Sequence, residues 1–467
     1  MFVNAAFSCT GQQEFYESAR SQDISIHFLH EYVLVNYRAI YTLMLASGIN
    51  QFNQGLIIQN LLKTGQGIPR EARKAECQLA LATLTRMPTS RALRVLTTLA
   101  EQRVNNRATR AVIRDYLLSR PHRAFVTLKY RAKVRALATH CHLKLTTDDS
   151  NLLYHPRATT FEEPLFTQYK KALYSKSAIY LLPFTIAEGL ANKHGVPRAE
   201  FLKKIEPMMT PNERRRLAQA AQRAGHELQG ALHDTPLTTL CLTLLALPLH
   251  ERRARLDELS AVIRQRAALE VARRKIVPLG QVALVLDCSY SSRGSSVKKN
   301  RPLAVALALS ALLKAAVEAG GARGCVEFWT GRAEGVLTEP NGATSLARPL
   351  IEALKTTPDL VVIVSDGYEN DPPAGVREVV RVFQERLDPH RAVELLHLNP
   401  LFDSDYLSPR PLSPRVPTMG VRDAEDLFTL LTFARFLNSH ITERDVIHYL
   451  HSAAEELAHG HTPRALP

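Results

Sequence analysis

The sequence predicts two parts of different class. Residues 1–276 read as an all-α, HEAT-like helical-repeat half, and residues 277–467 as an α/β half with a doubly wound parallel sheet. Three observations carry this reading. From about 24 to 275, apolar residues recur at helical spacing between short Pro-containing breaks, with no strand alternation. At Gly280 the pattern switches, and short apolar runs begin to alternate with helical ones. Two of these runs, Val282-Ala-Leu-Val-Leu286 and Leu360-Val-Val-Ile-Val364, give way to an acid, Asp287 and Asp366, as soon as they end. A short Val- and Leu-rich run without polar alternation is a strand buried on both faces.

Taken in order, residues 32–46 place Leu34, Tyr37, Ile40, Tyr41 and Leu45 at helical spacing, which predicts one helix. Residues 75–85 and 90–101 repeat the style on either side of Met87-Pro88-Thr89, and further breaks fall at 67–69, Pro121, Pro197, Pro211 and Pro236. Pro costs little at a first helical position, where its missing N–H has no partner to lose. Helices of this length joined by such turns are the pattern of paired-helix solenoids, although no strict period runs through the sequence. Residues 148–163 are polar and Pro-containing, which predicts a long loop. Residues 237–249 are apolar, but too short to span a bilayer and broken by Pro248, so they read as a buried helix. Residues 256–275 predict a charged amphipathic helix with Leu259, Val262, Ile263 and Leu269 on its apolar side. Beyond Gly280 the order is strand 282–286, helix 302–319, strand 325–329, a turn at Thr344, helix 345–355, strand 360–364, helix 375–387 and strand 393–397. The Pro-rich stretch 399–420 reads as a long loop on the surface or across a domain seam. Two helices near 424–438 and 442–457 follow. The histidines at the end, His448, His451, His459 and His461, have no well-placed acid or Cys beside them and read as a solvated helix end.

Functional groups of buried parallel strands gather in the crevice beyond their carboxyl ends. Asp287, Ser289 and Ser291 sit there, and period-two spacing points them the same way. Asp366 ends the second run, and Thr344 lies between the two in a turn that opens a helix. An acid after a strand is, alone, most often a turn or cap residue. Together Asp, Ser, Ser, Thr and Asp form an all-oxygen donor set, which suits Mg²⁺ with some of its waters retained. A phosphatase of the dehalogenase class also puts an Asp after its first strand, but needs a second acid two residues on; here that position is Ser289. No G-x-S-x-G elbow accompanies the serines. The expectation is therefore a binding site and not an enzyme. The order D-x-S-x-S, then Thr, then strand-D-G resembles the metal-ion-dependent adhesion site (MIDAS) of von Willebrand factor A domains. That resemblance implies metal ligation by Asp287, Ser289, Ser291, Thr344 and Asp366. Where that family has Gly between the serines, this chain has Tyr290.

The chain has 467 residues, 45% hydrophobic and 22% charged, which suits a soluble globular protein of two or three domains. Its net charge of +14 is out of the ordinary and argues for a polyanionic partner. Six scattered cysteines with no C-x-x-C pair exclude a disulfide framework and a zinc finger. The first residues are too poor in apolar side chains for a signal peptide, so a cytoplasmic protein without a membrane partner is expected.

The positive charge concentrates between Arg103 and Lys144, where Asp115 is the single acid. Pro121 divides this stretch into two helices. On the second, Lys129 and Lys133 lie one turn apart, as do Arg131 and Arg135, while Phe125, Leu128 and Ala132 form the buried stripe. A solvated face normally mixes signs. This one does not, so it predicts nucleic-acid binding, with guanidiniums that fork to phosphate or stack on bases.

The segments Asn106-Arg107-Ala-Thr-Arg110-Ala-Val-Ile-Arg114-Asp115-Tyr116-Leu117, Leu128-Lys129-Tyr130-Arg131-Ala132-Lys133 and Cys141-His142-Leu143-Lys144-Leu145 resemble the TROVE module of the Ro autoantigen family. That family joins a ring of paired helices to a C-terminal A domain, the domain order read here. The resemblance implies binding of small structured noncoding (Y-like) RNA on the outside of the ring, and a role in RNA quality control or stress response. By motif, Lys129, Lys133 and His142 match family positions that contact RNA; Arg107, Arg110, Arg131 and Arg135 belong to the same basic surface. The spacer between Lys133 and His142 and the helical half as a whole are shorter than in the family, which implies a smaller or incomplete ring. His142 read without the resemblance is a capping residue. The competing expectation is an adaptor without RNA, in which the A domain presents its metal to a protein partner such as an ATPase.

Overall fold

Five buried residues in a row explain why Val282–Leu286 (β1) and Leu360–Val364 (β3) are the centre of the sheet. In this computed structural model the described residues are 1–223, 235–274, 278–321, 324–438 and 443–458. β1 pairs on one side with Cys325–Trp329 (β2) and on the other with β3. Glu394–Asn399 (β4) and Thr418–Gly420 (β5) continue the sheet, so the order is β2-β1-β3-β4-β5, with every pairing parallel. The edge strand β2 is only half-buried. The helices Arg301–Ala319, Ala347–Lys355 and Gly375–Val382 make the crossovers. From β1 the chain steps outward to β2, then returns to the other side of β1 as β3. The strand order reverses there, and the crevice of a doubly wound sheet opens at that point. The fold is a von Willebrand factor A-like domain joined to helical repeats, the class expected from the sequence.

By compactness the chain divides into Met1–Gln54 with Thr235–Pro467, and Gly55–Asp234. The boundary expected at 276/277 falls inside the first of these units. Helices Leu237–Leu245 and Leu256–Ala272 join it because both pack on Arg301–Ala319. That last helix is apolar on nearly every face and buried through its length, as a helix between a sheet and other helices must be. It is also long and apolar enough to cross a bilayer, but 72% of its apolar window is buried inside the protein. The N-terminal helix Phe2–Ser8 packs on β5, and Asn4 Nδ2 donates to Thr418 O at 2.8 Å. Gly420 permits this approach, since a Cβ there would stand 2.5 Å from the Asn4 carbonyl oxygen.

The helix expected over 32–46 is two helices. Ala19–Asn36 ends at Tyr37, whose φ of −140° and ψ of 44° break the ladder, and Arg38–Leu43 follows. The break has a packing reason. Tyr41 returns to His30, with its hydroxyl 2.6 Å from Nδ1, while Asn53 Oδ1 lies 2.9 Å from Nε2. A straight helix would hold residues 30 and 41 about 16 Å apart along its axis. Burial lowers the His30 pKa to about 4, against the opposing hydrogen bond from Asn53. The folded state thus refuses a proton that the unfolded chain accepts near 6.5. The stability this neutral histidine preserves is present above pH ~6.5 and is lost as pH falls toward about 4, by at most about 3 kcal/mol. Urea midpoints measured across that window should fall with pH in the wild type and fall less steeply in His30→Gln; equal slopes would refute the assignment.

In the helix Leu256–Ala272, Leu259 and Ile263 are buried as expected, whereas Leu269 is 41% exposed. Following the same stripe at helical spacing brings Arg266, Ala267 and Glu270 inward instead. Arg266 is held by the Thr235 carbonyl at 2.6 Å and by Glu270 at 3.0 Å, so the inward face is completed by an ion pair.

In the second unit, helices start directly after or at proline: Arg70–Arg86 after Pro69, Thr89–Glu101 after Pro88, Phe184–Lys193 after Pro183, Arg198–Ile205 after Pro197, and Pro164–Ala172 at Pro164 itself. Arg70–Arg86 packs on Arg107–Leu118, and Thr89–Glu101 on Arg131–Cys141, the interleaving of a paired-helix array. Phe161, Phe166, Phe184 and Phe201 anchor a second core further along. The loop expected over 148–163 contains the helix Thr147–Tyr154, capped by Thr146. Polar residues hid it, because a helix buried on one narrow side needs few apolar positions: Leu153 and the Asp149 side chain suffice.

Candidate functional site

The register of the sheet builds the oxygen cluster. Leu286 lies opposite Val364, so β1 and β3 end level and release Asp287 and Ser365-Asp366 side by side. Asp287 N still donates to Val364 O at 3.0 Å, the last rung of the ladder. Its Oδ1 accepts from Ser289 N at 2.8 Å, which turns the chain so that Ser289 and Ser291 follow on the same side; their hydroxyls are 3.1 Å apart. Ser365 Oγ lies 3.3 Å from Asp287 Oδ2, and Thr330 Oγ1 3.3 Å from Oδ1. Asp366 accepts from Tyr368 N through Oδ1 at 3.0 Å, and its other oxygen, Oδ2, is buried without a partner. The tight turn after it requires glycine: Gly367 has φ +81°, and a Cβ would stand 2.5 Å from Arg410 O.

The loop with Thr344 is drawn alongside by two backbone bonds, Tyr290 N to Gly342 O at 3.0 Å and Asn341 N to Cys288 O at 2.9 Å. Asn370 then fixes Thr344 itself, accepting from its N–H at 2.8 Å and returning a bond to its carbonyl at 3.2 Å. Asp287, Ser289, Ser291, Thr344 and Asp366 are all buried. Burial raises the pKa of Asp366 most, and the charge of Asp287 raises it further. Burial likewise raises Asp287, against hydrogen bonds from Ser289, Ser365 and Thr330.

Two facing buried carboxylates, one with an oxygen lacking any partner, fit a hard divalent cation, which would relieve both the repulsion and the orphaned acceptor. Among the described residues no three His, Cys, Asp or Glu side chains gather as a metal cluster. The donor set here is of another kind, two acids with hydroxyls. Ser365, Thr330 and Asn370 were not singled out from the sequence. Ser365 carried a signal, a hydroxyl at the same strand end; Asn370 carried none, because its role depends on how its loop folds back.

The basic surface lies in the second unit. The single helix expected beyond Pro121 is two, Arg123–Lys129 and Arg131–Cys141, broken at Tyr130 with φ −110° and ψ 28°. Lys129 and Lys133 therefore stand on successive helices, not one turn apart on one. Val126 and Leu128 are buried in the first, and Val134, Leu137, Ala138 and Cys141 in the second; Ala132 is exposed and not part of the stripe. The break rotates the second helix so that Val134, not Ala132, faces inward.

Lys129 lies over the Phe125 and Tyr130 rings at 5.3 and 5.4 Å, Arg131 over Tyr169 at 5.7 Å, and Arg135 over Tyr154 at 5.3 Å. Aromatic faces hold these cations without neutralising them. Arg107 and Arg110 project from Arg107–Leu118, and Arg110 reaches Cys141 closely enough for its charge to act on the thiol. His142 sits exposed at the end of the neighbouring helix with φ 52°, the left-handed residue that closes it. Among the described residues, the carboxylate pairs in this stretch are Arg114–Asp115 and Arg123–Asp149, so none of Arg107, Arg110, Lys129, Arg131, Lys133 or Arg135 has its charge cancelled. Of the histidines beyond 440, His448 and His451 are exposed on the helix Glu443–Ala458; His459 and His461 lie outside the described residues.

Helical repeats with an unmixed basic face, carried on one chain with an A-type domain that ends its central strands in buried oxygen donors, define a class of two-part protein. No family model and no curated protein matches the sequence. Among solved structures, the chain is similar to the Ro (RSR) protein of Deinococcus radiodurans, with a TM-score of 0.51 and 14% identity over 87% of this chain and 93% of that one. At that identity the likeness is one of fold, and it bears out the Ro-like resemblance read from the sequence at that level.

Proposed function

We propose that this protein is a non-enzymatic RNA-binding scaffold that grips small structured noncoding RNA, of the Y type, on its basic helical surface. The observation that carries this reading is that Arg107, Arg110, Lys129, Arg131, Lys133 and Arg135 have, among the described residues, no carboxylate neutralising them. Uncompensated charge on a rigid helical face is costly to maintain for stability alone and suits a polyanion. Lys129, Arg131 and Arg135, propped on aromatic rings, are preorganised for phosphates, while Tyr130, Tyr154 and Tyr169 offer stacking faces to unpaired bases. Arg107, Arg110, Lys133 and His142 extend the surface.

In the A-type domain, Asp287, Ser289, Ser291, Thr344 and Asp366 would hold Mg²⁺ directly or through water. The cation would supply a Lewis-acidic position that a partner's acidic group can complete. The chain's own residues do the rest: Ser365 and Thr330 orient Asp287, Tyr368 N–H orients Asp366, and Asn370 places Thr344. In this reading the protein works in the cytoplasm in RNA quality control or stress response, with the metal site recruiting a second protein.

The test is affinity purification from its own cells at moderate salt, with sequencing of bound nucleic acid, for wild type and Lys129→Ala/Lys133→Ala/His142→Ala. A few discrete structured RNAs, lost in the triple variant, are the expected result. A second reading, a metal-bearing protein adaptor without RNA, is favoured by the buried, partnerless Asp366 oxygen. It would be adopted if no RNA is enriched while a protein partner resists ribonuclease and is lost on Asp287→Ala.

A further inference from the structure

The mouth of the oxygen cluster is crossed by a segment of the same unit that no sequence motif marks. Residues 13–17 run over it outside any helix or strand, tied down at successive points. Ser295 Oγ donates to the Gln13 carbonyl at 2.8 Å. Glu14 is buried and forms an ion pair with Lys298, itself only 10% exposed at its side chain. Phe15 meets Tyr290 edge to face, with ring centres 6.0 Å apart. Tyr16 stacks on Tyr368 at 4.1 Å. Glu17 holds the Ser404 hydroxyl and, at 3.3 Å, its N–H.

Tyr290 and Tyr368 are the residues directly after Ser289 and two after Asp366. The two rings that receive the segment therefore belong to the loops that carry the oxygen donors. The Tyr16 hydroxyl is directed at Ser291 and lies within the field of Asp366 and Asp287; burial first, and then those two charges, raise its pKa. Tyr16 remains 45% exposed, so it covers the mouth from outside and is not part of the core. The anchors on either side, Glu14 and Glu17, are by contrast bonded within the fold. A fixed strap with one half-exposed aromatic over a site has the form of a cover that can swing while its ends stay in place.

We propose that Tyr16 is an internal occupant of the metal site's open side: its hydroxyl stands where a partner's carboxylate must enter, and binding of an acidic ligand requires Tyr16 to leave. This rests on the metal reading above and adds the regulation of that site. Tyr290, which replaces the small residue usual between the two serines, is then part of the same device, since it gives the strap its aromatic footing at Phe15.

Tb³⁺ titration of the full chain tests it, with luminescence excited through tyrosine and lifetimes compared in H₂O and D₂O, for wild type, Tyr16→Phe, Tyr368→Phe and Asp366→Ala. Acetate serves as the carboxylate probe. The expected result is sensitised emission in wild type that is abolished in Asp366→Ala. Tyr16→Phe should lose that emission severalfold, gain about one bound water by lifetime, and bind acetate several times more tightly, while Tyr368→Phe keeps the wild-type hydration. If Tb³⁺ binds in an Asp366-dependent way but Tyr16→Phe matches wild type in hydration and acetate affinity, the strap proposal is overturned and the metal site stands. If wild type binds no Tb³⁺, both fall. Tyr16→Phe keeps the ring that stacks on Tyr368, so an unfolded variant is not the expected cause of any change.

Discussion

Reversing Lys129, Arg131, Lys133 and Arg135 to Glu should lower affinity for structured RNA by at least about a hundredfold at low salt, with the helical content unchanged. The size follows from counterion release. Each phosphate neutralised contributes close to one unit to the slope of log K against log salt, so removing these side chains should flatten that slope by about one for each phosphate they had paired. The variant should fold, because Arg131 and Arg135 are exposed, Lys129 and Lys133 are half-buried, and none of the four closes an ion pair. Individual Ala substitutions separate two modes. Lys129→Ala removes a point charge held between Phe125 and Tyr130, and should weaken all RNAs alike. Tyr154→Ala removes the ring under Arg135 and should cost most for RNAs with unpaired bases. Electrophoretic mobility shifts across a salt series read both. An unchanged slope in the reversed variant would remove the basic face from the RNA-binding account.

Asp366→Ala should lower affinity for Mg²⁺ or Mn²⁺ by well over about a hundredfold, and Asp287→Ala as much, because each deletes one of only two charged donors in the cluster. Ser365→Ala acts one step out. It leaves every proposed ligand in place and removes the 3.3 Å hydrogen bond that orients Asp287 Oδ2, so a drop of about 10-fold is expected, the scale of an outer interaction. Isothermal titration with Mn²⁺ measures all three. Wild-type affinity retained in Asp366→Ala would place any metal elsewhere. Without metal, Asp366→Ala should not destabilise the fold, since it removes a buried carboxylate whose Oδ2 has no partner and which faces the charge of Asp287. A ligand that is a liability to the empty fold is the signature of a site kept for binding.

Strands of the same sheet differ in how much of them could be read from the residues. β1 and β3 were legible to the residue, because a strand buried on both faces admits only apolar side chains and so announces its own length. The acids that follow were legible as well, not singly but because two of them recur at strand ends together with Ser289, Ser291 and Thr344. β5 was not. It has three residues, sits in a Pro-rich stretch, and is defined by its pairing with β4 and the packing of the helix Phe2–Ser8 against it. The break at Tyr130 was equally hidden: helical spacing continues through it, and only the burial of Val134 in place of Ala132 reveals that the register has turned.

The amino-acid sequence by itself determined the alternation of classes along the chain, the identity of the oxygen donors and the position of the basic stretch. These depend on local rules, namely hydrophobic period, strand-end chemistry and unmixed charge. Only the tertiary structure decided which groups meet. It set Ser365 and Thr330 against Asp287, left one oxygen of Asp366 without a partner, and split the basic helix into two differently aimed surfaces. It also brought Tyr16 from the far end of the sequence to the mouth of the cluster. Which distant residues touch is set by packing and register, which composition and periodicity do not encode at any single position.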